Sequence, residues 1–325
     1  MMTAPNLYGI ARKLIADIIP QKNPGPALRH SPGRSSLTRF KSLLPQDLVV
    51  VDVGCRWGFA DFWQQLSPRL VLYGFDPDPG ECERLRGLYK DRPNVHVVPL
   101  GLADTSGERT LYMTREMACS SLYRPDPALT GSIPELACAS ETGTSKIQVT
   151  TLDEWSASNA VSNIDFIKLD TQGAELDVLR GGQRALASVS ALEVEVEFNP
   201  IYINQPLFGD VDKFLRGKGF VLWKLSTMAH YSRADVALEP EEQNSNYYDS
   251  QVVSHAVLSG QLYWGHAYYV RKEIALSSAS RHWQQSLRDA ILMEVLGFHG
   301  LAKQLLIDAI GNGAPPEIRS GLAND

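Results

Sequence analysis

The sequence predicts a doubly wound α/β domain, in which buried strands alternate with helices around a mostly parallel sheet. Three observations predict it. Leu48-Val49-Val50-Val51-Asp52-Val53 is a continuous apolar, β-branched run, the mark of a strand covered on both faces. Similar runs recur at residues 70–75, 95–100, 164–169 and 192–198. Helix-compatible stretches, residues 80–89 and 173–187 among them, separate these runs.

The remaining elements follow the same reasoning. Apolar residues at Leu7, Ile10, Leu14, Ile15, Ile18 and Ile19 have helical spacing, and Pro20, Pro24, Pro26 and Pro32 with Gly25 and Gly33 then make a linker. Short helices are expected at 36–44, 58–66, 152–158 and 210–216, and further strands at 107–113, 146–152, 220–225 and 262–270. A polar loop over 114–145 is long enough to be either a lid or disordered. Residues 283–310 read as two amphipathic helices hinged at Gly300, able to pair subunits or to fold back on the main domain. This organisation gives a basic helical leader over 1–45, an α/β domain over 46–272 and a helical extension over 273–325.

Composition narrows the function classes. With 325 residues, 44% hydrophobic and 21% charged, the chain is too apolar to be disordered and long enough to bury a sizeable core. Its four cysteines form no C-x-x-C pair and suit a reducing compartment, so a cytoplasmic protein is expected. No apolar stretch is long enough for a membrane span, and no secretory signal is visible at the N-terminus. Charge is uneven: residues 1–45 carry +6, leaving −12 of the total −6 for the rest. An acidic body argues against a nucleic-acid partner, while the basic head is either a solvated leader or a weak peripheral contact with an anionic membrane.

Chemistry concentrates at three strand ends. Asp52-Val53-Gly54-Cys55-Arg56-Trp57-Gly58 follows the first strand, and its glycines let the backbone pass close beneath a ligand. The spacing is not the G-x-G-x-x-G of a pyrophosphate site, so a phosphate-free ligand such as S-adenosylmethionine fits better than a nicotinamide cofactor. Phe75-Asp76-Pro77-Asp78-Pro79 ends the second strand, with Asp76 placed for ribose hydroxyls and Asp78 placed to cap the next helix. In the segment Ile164 to Glu175, Asp170 stands at a strand's carboxyl end, where open α/β sheets place their sites. Asp170 or Thr171 could equally cap the following helix.

The order of these pieces resembles a known family. Val51-Asp52-Val53-Gly54, Gly74-Phe75-Asp76-Pro77, Ser120-Ser121-Leu122, Val149-Thr150-Thr151-Leu152-Asp153, Asp165 to Asp170, Gly173-Ala174-Glu175 and Val178 to Gly182 are similar to the FkbM family of S-adenosylmethionine-dependent methyltransferases. Glu195-Val196-Glu197-Phe198, Tyr202, Gln205 to Phe208, Gly219-Phe220 and Gln261 to Ala267 extend the likeness, which covers roughly residues 46–272. The resemblance implies a Rossmann-like class I methyltransferase fold with a mostly parallel seven-stranded sheet. It implies methylation of a hydroxyl on a sugar, as in a surface polysaccharide, or on a secondary metabolite. The cofactor set it implies is Asp52, Gly54, Cys55, Trp57, Gly58, Asp76, Pro77, Gly101, Leu102, Ser121 and Asp170. The chain departs from the family pattern at Cys55-Arg56, usually Ala-Asn, at Asp76, usually Glu, at Gln172, usually an acid, and at His266, usually Asp.

Methyl transfer to an alcohol needs positioning and a base. Asp170, Glu197, His230 and His266 are the candidates, and Glu193, Glu195 and Glu197 share one side of their strand. Trp57 is either core or a face for the sulfonium. Gln172, Asn199, Tyr202 and Gln205 are candidate acceptor-binding groups, and Asp170 with Glu197 could hold a divalent metal such as magnesium. A small-molecule or glycan acceptor is expected, and oligomeric state stays open. The runner-up reading is a methyltransferase-like glycan-binding or scaffold module without turnover.

Overall fold

The computed structural model describes residues 37–231, 260–276 and 281–322. The helix expected over 6–19, the Pro/Gly linker and most of the basic leader lie outside the described residues. The strands are β1 (Leu48–Val53), β2 (Leu70–Phe75), β3 (Val95–Val98), β4 (Gly101–Leu102), β5 (Gly107–Thr114), β6 (Glu141–Thr150), β7 (Phe166–Leu169), β8 (Ala191–Glu197), β9 (Phe220–Tyr231) and β10 (Gln261–Arg271). The α-helices are α1 (Pro79–Leu88), α2 (Pro127–Ser132), α3 (Leu152–Ser158), α4 (Glu175–Gly181), α5 (Phe208–Gly217), α6 (Lys272–Ala275), α7 (Trp283–Val295), α8 (His299–Gly311) and α9 (Pro316–Leu322).

Seven strands form the main sheet in the order β3-β2-β1-β7-β8-β10-β9. The pairs from β3 through β8 are parallel, and β10 runs antiparallel between β8 and β9. This is the doubly wound, Rossmann-like sheet expected from the sequence. Strand order reverses at β1, so β7 lies beside it and the crossover opens a crevice at the carboxyl ends of β1 and β7.

Alternation along β1 explains the two cores. Leu48 and Val50 face one layer with Phe40, Trp63, Phe166 and α7–α8, whereas Val51 and Val53 face the other with Ile167, Leu169, Val194 and residues of α3–α5. Asp78 caps α1 as expected, accepting from Gly80 N and Glu81 N with Pro79 in the first turn.

Three expectations change. The strands expected at 107–113 and 146–152 exist, but they join β4 in a separate three-stranded sheet ordered β4-β6-β5. The segment expected as one long loop is shorter, because β6 starts at Glu141, and it carries a 3-10 turn Met117–Cys119, α2 and a second 3-10 turn Pro134–Ala139. The C-terminal hinge falls at Gly297, not Gly300: Gly297 has φ 80°, a left-handed value suited to glycine, and Gly300 sits inside α8. Helices α7 and α8 fold back onto the sheet, where Arg288 Nη2 donates to Asp165 Oδ2 at 2.6 Å.

Candidate active site

The β1 turn is closed by backbone contacts. Gly54 N and Cys55 N both donate to Phe75 O, at 2.9 and 3.1 Å. Gly54 has φ 83°, and a Cβ there would stand 1.9 Å from the Asp170 carbonyl oxygen. The glycine is therefore demanded by the close approach of β1 to the end of β7, which brings Asp52 and Asp170 to one place. Cys55 packs inward against Gly74 and is buried with Cys82 and Leu85. Burial raises its thiol well above the ordinary range, and its sulfur faces the interior. Trp57 points the other way and is 56% exposed, which overturns the core reading and leaves an aromatic face at the turn's tip.

Asp76 is buried at the end of β2, and burial raises its carboxyl against the Asp78 N–H and Arg56. Its Oδ1 accepts from Asp78 N at 2.8 Å. Arg56 Nη1 lies 3.9 Å from the same oxygen, while Arg56 Nη2 donates to Asp78 Oδ2 at 3.2 Å. Arg56, where the resemblance leads one to expect Asn, thus sets a guanidinium beside Asp76.

The carboxyl edge of β7 and β8 gathers charge. Lys168 Nζ lies 3.0 Å from Asp170 Oδ2 and 3.6 Å from Asp52 Oδ1. Burial favours a neutral amine, but Asp170, Asp52 and Glu193 outweigh it and hold Lys168 as an ammonium. For Asp170, burial acts upward, yet Lys168 and His266 win and bring the carboxyl to about 2. Asp52 goes the other way, to about 6, because burial exceeds the help of Lys168 at its longer distance. His266 Nδ1 lies 2.8 Å from Glu193 Oε1, and that contact holds Glu193 below the carboxylate range despite burial.

Glu195 and Glu197 behave differently. Burial, with neighbouring Asp170, Glu197 and Glu175 carboxylates, pushes Glu195 well up, and burial with Glu175 does the same to Glu197. Burial thus favours the protonated form of both, and with its 3% exposure this makes Glu197 a poor candidate for the base. Magnesium fits poorly here as well. Asp170 already accepts from Lys168 and from Gln172 Nε2 at 3.1 Å, and burial favours the protonated form of Glu197. Among the described residues no group of three or more His, Cys, Asp or Glu side chains could hold a metal ion.

Several expected ligand-binding groups prove to be internal fasteners. Tyr202 is 1% exposed, and its hydroxyl donates to Cys119 O at 2.8 Å and lies 3.0 Å from Gln172 Oε1. Gln205 Oε1 accepts from Ile201 N and Tyr202 N, Asn199 Nδ2 donates to Leu262 O, and buried Ser121 donates to Gln172 O at 2.6 Å. Gln172 itself, at φ 59°, bridges Asp170 Oδ1 and Glu195 Oε2. Leu102 belongs to the core, and Gly101 is required by Val149 of the small sheet, whose Cγ1 a Cβ would approach to 2.9 Å. His230 is near the end of β9, the outermost strand beyond β10, its Nδ1 2.9 Å from Gly260 O. Neither Asp170 nor Thr171 caps α4. Thr171 N and Oγ1 both donate to Glu175 Oε1. Sequence reasoning missed Lys168 and the Glu193 partner of His266. A lysine inside the buried run Phe166-Ile167-Lys168-Leu169 was the available signal, because such a cation needs carboxylates around it.

The chain is similar to several known proteins. The Methyltransferase FkbM domain model matches residues 52–222, more than half of the 325. The chain is 27% identical over 188 residues to the 2-O-methyltransferase NoeI of Sinorhizobium fredii, covering 53% of this chain and 76% of that protein. It is 26% identical over 165 residues to the hexuronic acid methyltransferase AglP of Haloferax volcanii, covering 48% of this chain and 62% of that one. Among solved structures, magnesium protoporphyrin IX methyltransferase of Synechocystis with bound SAM is similar at 12% identity and a TM-score of 0.32, over 72% of this chain and 77% of that one. The strand ends that carry Gly54, Asp76 and Asp170 fall inside the matched segment, and the chain belongs to the FkbM family of S-adenosylmethionine-dependent methyltransferases.

Proposed function

We propose that the protein methylates a hydroxyl of a sugar, with His266 as the base. One observation carries the reading: the Glu193–His266 pair stands beside Asp170 on the sheet's carboxyl edge. The likeness to a 2-O-methyltransferase and a hexuronic acid methyltransferase supports a sugar acceptor. S-adenosylmethionine supplies, when bound, a sulfonium-borne methyl group open to in-line attack by oxygen. The Gly54–Gly58 turn, Trp57 and Asp76 would hold it, since glycine stands at both ends of the turn, Trp57 is exposed on it and Asp76 is a buried carboxylate at the end of the next strand.

Glu193, ionised, accepts the Nδ1 proton of His266, which leaves Nε2 a lone pair for the acceptor's hydroxyl proton. Once His266 takes that proton, the ionised Asp170 and Glu193 stabilise the imidazolium. Lys168 and Gln172 fix the Asp170 carboxylate in place. The proposed setting is the cytoplasm, in keeping with four free cysteines, and no helix among the described residues is long and apolar enough to cross a membrane.

The test is calorimetry with S-adenosylhomocysteine, with NADH as control, followed by labelled-methyl transfer to a panel of sugars. Micromolar binding of the first alone and label on a sugar oxygen are expected. Binding without transfer to any sugar offered would favour the methyltransferase-like binding module instead.

A further inference from the structure

The segment between β5 and β6 forms a roof beside the acidic edge, and two thiols meet within it. Cys119 Sγ ends the Met117–Cys119 turn and lies 3.6 Å from Cys138 Sγ in the Pro134–Ala139 turn. The backbones beneath them are already paired: Glu116 N donates to Cys138 O at 2.9 Å and Arg115 N to Ser140 O at 3.0 Å. Both cysteines are only half-buried, so a small oxidant can reach them.

We propose that Cys119 and Cys138 are an oxidation site, closing reversibly to a disulfide that fastens the roof. The step balances with hydrogen peroxide. The Cys138 thiolate displaces hydroxide from the peroxide to give a sulfenic acid. The Cys119 thiol then attacks that sulfur and water leaves, so two thiols lose two electrons and peroxide becomes two waters. Cys138 is the first nucleophile because the Cys119 S–H donates to it and holds its thiol below the ordinary range, despite burial.

The site has a direct line to the acidic edge. The Cys119 carbonyl accepts from Tyr202, Tyr202 contacts Gln172, and Gln172 holds Asp170 and Glu195. Drawing the two sulfurs together moves the Cys119 backbone, so the disulfide lowers turnover by disturbing the Gln172 grip on Asp170.

The experiment treats the full-length protein with hydrogen peroxide, blocks remaining thiols with iodoacetamide and digests it with a protease specific for glutamate. Cleavage after Glu116 and Glu135 places the two cysteines on different peptides. A cross-linked pair that dithiothreitol separates is expected, together with its loss in Cys138→Ser. Two alkylated thiols, or separate sulfinic acids without a cross-link, would overturn the proposal whatever the protein's acceptor is. Once turnover is measurable, several-fold loss on oxidation in the wild type and none in Cys138→Ser is expected. An oxidised wild type of unchanged turnover would overturn the coupling to Asp170 while leaving the methyl-transfer reading intact.

Discussion

The two edges of the parallel sheet bury charge in opposite ways. At the amino edge Asp165 is met by Arg288 through two nitrogens, and Arg288 also donates to the Gln46 and Asp47 carbonyls. Val49 N donates to Asp165 Oδ2 as well, and nearby Asp289 accepts from Ser190 and pairs with Arg281. Asp165 and Asp289 each have an opposite charge and hydrogen bonds there. At the carboxyl edge Asp52, Asp170, Glu175, Glu193, Glu195 and Glu197 crowd around Lys168 and His266. Acids in excess of cations must split into ionised and protonated members, which is the pattern of pKa values pushed apart that general acid–base sites use. One edge is built to hold the molecule together and the other to hold protons at chosen atoms.

Removing the amino-edge cation should cost most. Arg288→Ala leaves Asp165 buried without its partner and should destabilise the fold by about 3–5 kcal/mol, seen as a lower denaturant midpoint. Turnover per folded molecule should not change, and a loss of turnover in the fraction still folded would break the division between the edges.

At the carboxyl edge the largest effect should fall on rate. His266→Gln should lower turnover by about 10²-fold or more with S-adenosylhomocysteine affinity unchanged. Glu197→Gln should change turnover little, because burial favours the protonated form of the native group. A reversed ranking in steady-state assays would move the base to Glu197. Asp76→Ala should weaken donor binding by about 1–3 kcal/mol in calorimetry, without altering the pH profile of turnover.

The smallest effect concerns Glu175, which burial raises from 4.5 to about 7 against its Thr171 hydrogen bonds. The folded state then holds a proton that the unfolded state has released, so stability is greatest below about 4.5 and falls as pH rises to about 7. Glu175→Gln keeps an oxygen for Thr171 and removes that slope. Its melting temperature should exceed the wild type's by an amount worth on the order of 1–2 kcal/mol at pH 8 and nothing at pH 4. Parallel melting curves for the two proteins would sink the assignment.

How much of this was legible depended on whether the cause was local. The β1 run, the Asp78 cap and the helix breaks are set by neighbours in sequence, and they emerge from the pattern with small errors of boundary. The Gly297 hinge was missed because glycine inside a helix and glycine at its end look alike until φ is known. The site was half legible. Asp52, Asp76 and Asp170 are legible because strand ends carry chemistry, and His266 because an imidazole suits a base, but Tyr202 and Ser121 bond backbone of distant segments and Gln205 Oε1 bonds backbone of its own loop, which no spacing reveals. Lys168 and Glu193 went unassigned for the same reason: their meaning lies in partners across strands.

The way α7 and α8 lie on the sheet has a practical result for anyone cutting the gene. Residues 52–222 match the family model, yet Leu48, Val50, Leu70 and Phe166 share one buried cluster with Leu287, Ile291, Leu292 and Leu305. A fragment ending after β9 would strip that cluster of its cover and leave Asp165 without its guanidinium. Such a piece should come out of cells as aggregate, whereas one carried through α8 should stay in solution.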